Sequence, residues 1–200
     1  MQSVFLDGED VQFSGPAPAS ICALVHIINE HLAQNRRVLT SCNVDGADIV
    51  DVEPAQYPKD GDVVHMTSQP VAQALAQTIA HTLASTADLP VQLRTFSAEI
   101  LHKPWSETLQ TIDRFTALLM PIHQLTDSLH QYAVSHSLDW MSGIHPMLQA
   151  NEQALNRFIE AAKCSDVATV SDIIWNEITP KIESIRQAYT DDILPHLQPS

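Results

Sequence analysis

Glycine is scarce in this chain, with five in 200 residues. That leaves none for a phosphate-cradling loop, and neither a dinucleotide fingerprint nor a P-loop occurs. The nucleophile elbow of hydrolases and the paired-histidine zinc motif of metalloproteases are absent too. Basic residues are few: 10 Lys and Arg stand against 24 Asp and Glu, a net charge of −14. Such a surface repels phosphate backbones and anionic headgroups, and no basic cluster exceeds Arg36-Arg37, so nucleic acid and membrane surfaces are excluded as partners. No apolar run approaches the roughly 18 residues of a membrane span. Met1-Gln2-Ser3-Val4-Phe5 lacks the basic and apolar regions of a leader, so a soluble, cytoplasmic protein is expected. Cys22, Cys42 and Cys164 are odd in number and without metal-type spacing, as befits reduced thiols in that compartment.

What is present changes character near Pro70. Four of the five glycines precede residue 62, whereas all three tryptophans and seven of the ten histidines follow residue 80. Charge does not follow this division: 10 carboxylates face 3 cations before residue 69 and 14 face 7 after it, −7 on each side. Two domains are expected, 1–68 and 69–200, each long enough to bury a core.

Three Asp-Gly steps, Asp7-Gly8, Asp45-Gly46 and Asp60-Gly61, punctuate the first domain. Val4 and Leu6 alternate before the first step, and Val11 and Phe13 after it, which predicts a hairpin with φ > 0 at glycine. Pro16 and Pro18 open a segment with Ile21, Leu24, Val25, Ile28 and Leu32 at helical spacing, ending near Asn35. Val38, Thr40, Cys42 and Val44 alternate up to the second step. Asp48 to Val52 then form a short strand or an irregular crossing, Pro54 and Pro58 mark a loop, and a last strand runs from Asp62 to Thr67.

The opening hairpin, the helix after it and the Lys59-Asp60-Gly61-Asp62 turn before the last strand make residues 1–68 resemble the β-grasp sulfur-carrier proteins of thiamine and molybdopterin biosynthesis. That resemblance covers about a third of the chain and implies a ubiquitin-like fold. In that family a terminal Gly-Gly carboxylate is activated as an adenylate and then a thiocarboxylate. No position here matches those glycines: the chain reads Ser68-Gln69-Pro70 and continues to residue 200. Processing after residue 68 would leave a serine end. The fold is therefore carried over and the activity is not.

Beyond residue 70 the period becomes helical. Val71, Leu75, Ile79 and Leu83 form one stripe, and Leu93, Phe96 and Ile100 a second that Asp88 is expected to cap. A longer one runs from Trp105 through Leu109, Ile112, Leu119, Ile122, Leu129 and Ala133 to about His136. Leu138, Met141, Ile144, Leu148, Leu155, Phe158 and Ile159 lead to Lys163, and a last stripe runs from Val167 through Ile174, Ile178, Ile182, Ile185 and Tyr189 to Leu194. Together these predict an antiparallel bundle of three long helices with one or two shorter ones. Pro121, Pro146 and Pro180 are expected to kink or restart their helices. Asn151 falls at stripe spacing and is expected to turn to the helix flank, although a buried amide there would fix register or oligomer state. Trp105, Trp140 and Trp175 are expected in the core, and Cys22 and Cys42 as small buried hydrophobes.

Two carboxylate-histidine pairs, Glu99 with His102 and Asp127 with His130, have the i, i+3 spacing that di-metal carboxylate bundles use, with Glu152 or Glu160 and Glu177 able to complete a set. One pair carries Asp where such centres carry Glu, and solvated helix faces give the same spacing. His123 and His130 read as boundary residues. The fold class expected is thus α+β, a small N-terminal β-grasp domain followed by an α-helical bundle. With no catalytic motif and no cofactor expected, the favoured function is a non-catalytic protein–protein interaction or assembly protein, adaptor- or chaperone-like, with a homo-oligomer as one form it can take. A metal-binding helical bundle able to carry a redox role is the alternative.

Overall fold

Asp-Gly is one of the favoured pairs for a two-residue type I′ hairpin, in which both central residues need positive φ. The first two steps meet that demand: Asp7 and Gly8 have φ of 54° and 87°, and Asp45 and Gly46 have 51° and 93°. They join β1 (Ser3–Leu6) to β2 (Glu9–Asp10) and β3 (Arg37–Val44) to β4 (Ala47–Asp48). The third step works differently. Gly61 has no positive φ, but a Cβ there would lie 2.5 Å from Val44 Cγ1, so glycine is required for close approach.

The computed structural model describes residues 3–50, 52–135, 138–139 and 142–197. It is a mixed α+β chain with a five-stranded sheet and several helices. The chain divides into two compact units, Met1–Ala74 and Leu75–Ser200.

In the first unit Ser20 caps α1 (Ile21–Gln34), its hydroxyl accepting from Ala23 N at 3.2 Å. Its five buried residues, Ile21, Leu24, Val25, Ile28 and Leu32, are the expected stripe. They pack on Val4, Cys42, Val44, Val64 and Met66 from the sheet. The strand order is β2-β1-β5-β3-β4, with β5 (Val63–Pro70) parallel to β1 and the other pairs antiparallel.

Three strand expectations need correction. β2 ends at Asp10, so Val11 and Phe13 lie beyond the strand and not on it. Leu39 pairs with Ser68 and Ser41 with Thr67, so Thr40 is an extra residue that shifts the register. A one-residue bulge exchanges the two faces of a strand, which sends Leu39 to the core and leaves Val38 37% exposed. The last strand also runs beyond Thr67, with Pro70 opposite Arg37. Helix α2 (Val71–Ser85) begins at once, and the division between units falls within it.

The second unit contains the rest of α2, then α3 (Leu89–Ile100), α4 (Trp105–Ser135), α5 (His145–Lys163) and a continuous helical run over Val167–Leu197. Stacked rings tie three of them together: Phe96 of α3 lies 5.5 Å from Phe115 of α4, which lies 4.8 Å from Phe158 of α5. The final run is α6 (Val167–Ile173), α7 (Thr179–Ala188) and α8 (Leu194–Leu197), joined by π-helical turns at Ile174–Ile178 and Tyr189–Ile193. Each π turn precedes a proline. Pro180 has no N–H for the carbonyl of Asn176, nor Pro195 for that of Asp191, and both carbonyls belong to the wide turns. Within the first wide turn Thr179 Oγ1 donates to Ile174 O at 2.7 Å.

The other prolines behave less uniformly than expected. Pro146 starts α5, which begins at His145 rather than Leu138; Leu138 is non-helical and 38% exposed. Helix α4 continues on both sides of Pro121. Asp88 occupies the N-cap position of α3 but its side chain makes no capping bond. The buried face of α5 is Asn151, Ala154, Phe158 and Ala161, so Asn151 is inward, 4% exposed, and Ile159 is 46% exposed. Small alanines, not the larger Leu155 and Ile159, face inward around Phe158, which rotates the stripe away from the one read by side-chain size. His136, Trp140 and Met141, and the side chain of Leu109, lie outside the described residues.

Candidate interaction surfaces

The resemblance would place a reactive tail just past residue 68, and the structure builds a lock there. The Asp7 carboxylate sits on a positive-φ turn and accepts Ser68 N at 2.7 Å, Ser68 Oγ at 2.7 Å and Arg37 Nη2 at 3.0 Å. Arg37 in turn donates from Nε to Ser68 Oγ and from Nη2 to Ser68 O, both at 2.9 Å. Partial desolvation pushes the Asp7 carboxyl up, but the hydrogen bonds from Ser68 and the Arg37 charge outweigh it and hold it below its ordinary 3.8. Asp45, the matching residue of the second step, accepts Asp62 N at 3.1 Å and Val63 N at 2.9 Å. The two turn carboxylates thus anchor the two ends of β5. The only sequence signal for this was Asp rather than Asn at each step, which hairpin geometry alone does not distinguish.

On the face of the sheet away from α1, Phe5 stacks on His65 with centroids 4.9 Å apart. Beside them Ser41 Oγ and Thr67 Oγ1 are 2.6 Å apart, and Thr40 Oγ1 donates to Thr67 O at 3.1 Å. This is a polar surface with one aromatic pair. In the second unit Trp175 is 47% exposed, against the expectation of a core residue, because its neighbours Ile174 and Ile178 take the inward positions of the π turn. Trp105 is half-buried.

The four metal candidates are all exposed. Glu99 lies near the end of α3, 3.4 Å from Lys103, and His102 lies just beyond the helix; Asp127 and His130 lie on α4. Glu152 and Glu160 are exposed on α5, and Glu160 pairs with Lys163 at 2.7 Å. Glu177 is engaged by Arg157 and Lys181, and the Arg157 hydrogen bond, more than any other contact, holds its carboxyl below the ordinary 4.5. Among the described residues no three His, Cys, Asp or Glu side chains are grouped closely enough to hold a metal ion. Glu99 and His102 line one shallow pocket beside Trp175, and no third candidate joins them.

The cysteines differ from one another. Cys42 is 1% exposed and burial pushes its thiol to about 11. Cys22, expected to be buried, is exposed because it points off the α1 stripe, and Cys164 is exposed as well. No helix among the described residues is long and apolar enough to cross a membrane. Comparison with protein-family models, with curated proteins and with solved structures finds no match to this chain.

Proposed function

We propose that this chain is a non-catalytic interaction or assembly protein in a reducing, cytoplasmic compartment. Its docking module is a β-grasp domain over 1–68, carried on an acidic antiparallel helical bundle over 69–200. Support for the module comes from the parallel β1 and β5 at the centre of the sheet and from α1 lying between the two hairpins, the arrangement the resemblance calls for.

The observation that carries the proposal is the end of β5. Where a sulfur carrier presents a free carboxylate, Ser68 is held by Asp7 and Arg37 and the strand passes into α2 after Pro70. A strand end fixed in this way has no group to activate, and what the module offers instead is surface. The acidity of both parts suits a basic or aggregation-prone protein partner. A homo-oligomer is one form such an assembly takes. Among the described residues no grouping of His, Cys, Asp and Glu side chains favours the metal-bundle alternative.

Affinity capture of the tagged chain from its native cell, read by mass spectrometry, tests the proposal. A reproducible, near-stoichiometric protein partner is expected. Recovery of the bare chain alone, or an enzymatic turnover that survives loss of all partners, would overturn it.

A further inference from the structure

At one end of the first unit, between the β2 edge and the Asp60-Gly61-Asp62 turn, lies a groove of about 760 Å³. Its lining is polar and apolar in similar measure, the half-buried apolar part being Val11, Phe13 and Pro18. Its rim carries three exposed carboxylates, Asp10, Asp60 and Asp62. None of these carboxylates has a hydrogen-bond or ion-pair partner among the described residues. No lysine or arginine lines the groove; of the unit's three cations Lys59 adjoins Asp60 in sequence without lining the groove, and Arg37 is committed to Asp7 and Ser68. Exposed carboxylates are normal; three without a hydrogen-bonded or ion-paired partner, set around half-buried apolar side chains beside a sheet edge, define a complementary charge for whatever fills the groove.

We propose that this groove binds an extended segment of a partner protein in which lysine or arginine alternates with apolar residues. Alternate side chains of an extended segment point to opposite sides, so apolar ones reach Phe13 and Val11 while cationic ones reach the rim. Charge selects the occupant: a second copy of this chain, at −14, brings like charge to the rim, and a bare polyamine leaves the apolar side chains uncovered. The inference deepens the interaction proposal and rests on it.

The test is a titration of the full-length ¹⁵N-labelled chain with the peptide Ac-Arg-Leu-Arg-Leu-Arg-NH2 near physiological salt, followed by amide chemical shifts. Shifts are expected at Val11, Phe13, Gly15 and Gly61. Asp60→Asn with Asp62→Asn, which removes no contact from the fold, and separately a peptide with Ser in place of Leu, should each weaken binding about tenfold. Absence of binding, shifts spread over the acidic surface, equal affinity for the variant or the serine peptide, or equal competition by spermidine would each overturn the groove assignment. Native capture separates the two levels: a partner captured equally by the double variant sinks the groove alone, and no partner at all sinks the interaction proposal.

Discussion

Replacing Asp7 with Asn isolates the charge in the lock at the end of β5. Asn tolerates the 54° φ of this position as well as Asp does, so the turn is preserved while the carboxylate is lost. Hydrogen bonds to a charged acceptor are worth more than neutral ones, but the Asp7 side chain is 37% exposed and its Arg37 pair is screened. The net loss expected is about 1 kcal/mol, or roughly a fivefold increase in local opening. Tryptophan fluorescence is blind to this change, because all three tryptophans lie beyond residue 104. Amide hydrogen exchange of residues 64–68 reads it directly. The pH dependence follows from the sign of the shift: a carboxyl held below its ordinary 3.8 contributes stability above that value and loses it as pH falls through the folded value. Wild type and variant should therefore differ at neutral pH and converge as pH falls below 3.8. Equal exchange at neutral pH, or a deficit that persists undiminished in acid, would refute the lock.

Gly61→Ala should cost about 1–3 kcal/mol because its Cβ meets the buried Val44 methyl at 2.5 Å, whereas Gly15→Ala, with nothing within 4 Å, should change stability by less than about 0.5 kcal/mol; equal melting shifts for the two would contradict this. Tyr189, fully buried and bonded to Thr126, is pushed by burial from 10.0 to about 12. Its raised value stabilises the second unit in full below pH 10 and is lost as pH rises toward 12, about 3 kcal/mol across that window. Tyr189→Phe should lose about 1 kcal/mol at neutral pH yet flatten the alkaline limb seen by tryptophan fluorescence, and parallel limbs would contradict the assignment. A thiol reagent should find Cys22 and Cys164 in the native protein and Cys42 only after denaturation, so three fast-reacting native thiols would be inconsistent with the buried position of Cys42.

Sequence legibility followed the range of the interactions involved. The α1 stripe and the two positive-φ turns are local, set by periodicity and by Asp-Gly chemistry, and were readable in full. The bulge at Thr40 depends on which β5 residue sits opposite, so Val38 looked inward when Leu39 is. On α5, large side chains suggested a stripe through Leu155 and Ile159, but close packing around Phe158 uses Ala154 and Ala161 and carries Asn151 inside. Pro180 was visible as a disruption; that a π turn absorbs it depends on backbone geometry no propensity encodes. Nothing local placed Asp7 beside Ser68, 61 residues away. The groove was equally hidden, since one side comes from β2 and the segment after it and the other from a turn about 50 residues later. The carboxylate-histidine spacings were easy to see and proved to lie on exposed surface, with His102 already past the end of α3, because i, i+3 spacing sets a shared face and not the direction that face looks.

If residues 1–68 dock a protein, as proposed, and do not carry a reactive end, cross-linking inside the native cell, followed by capture of this chain and peptide mapping of the cross-links, will show it. One dominant protein partner is expected, with cross-links concentrated on the first unit around residues 10–18 and 59–62. A chain recovered without protein cross-links, or one whose cross-links all fall beyond residue 75, would contradict it.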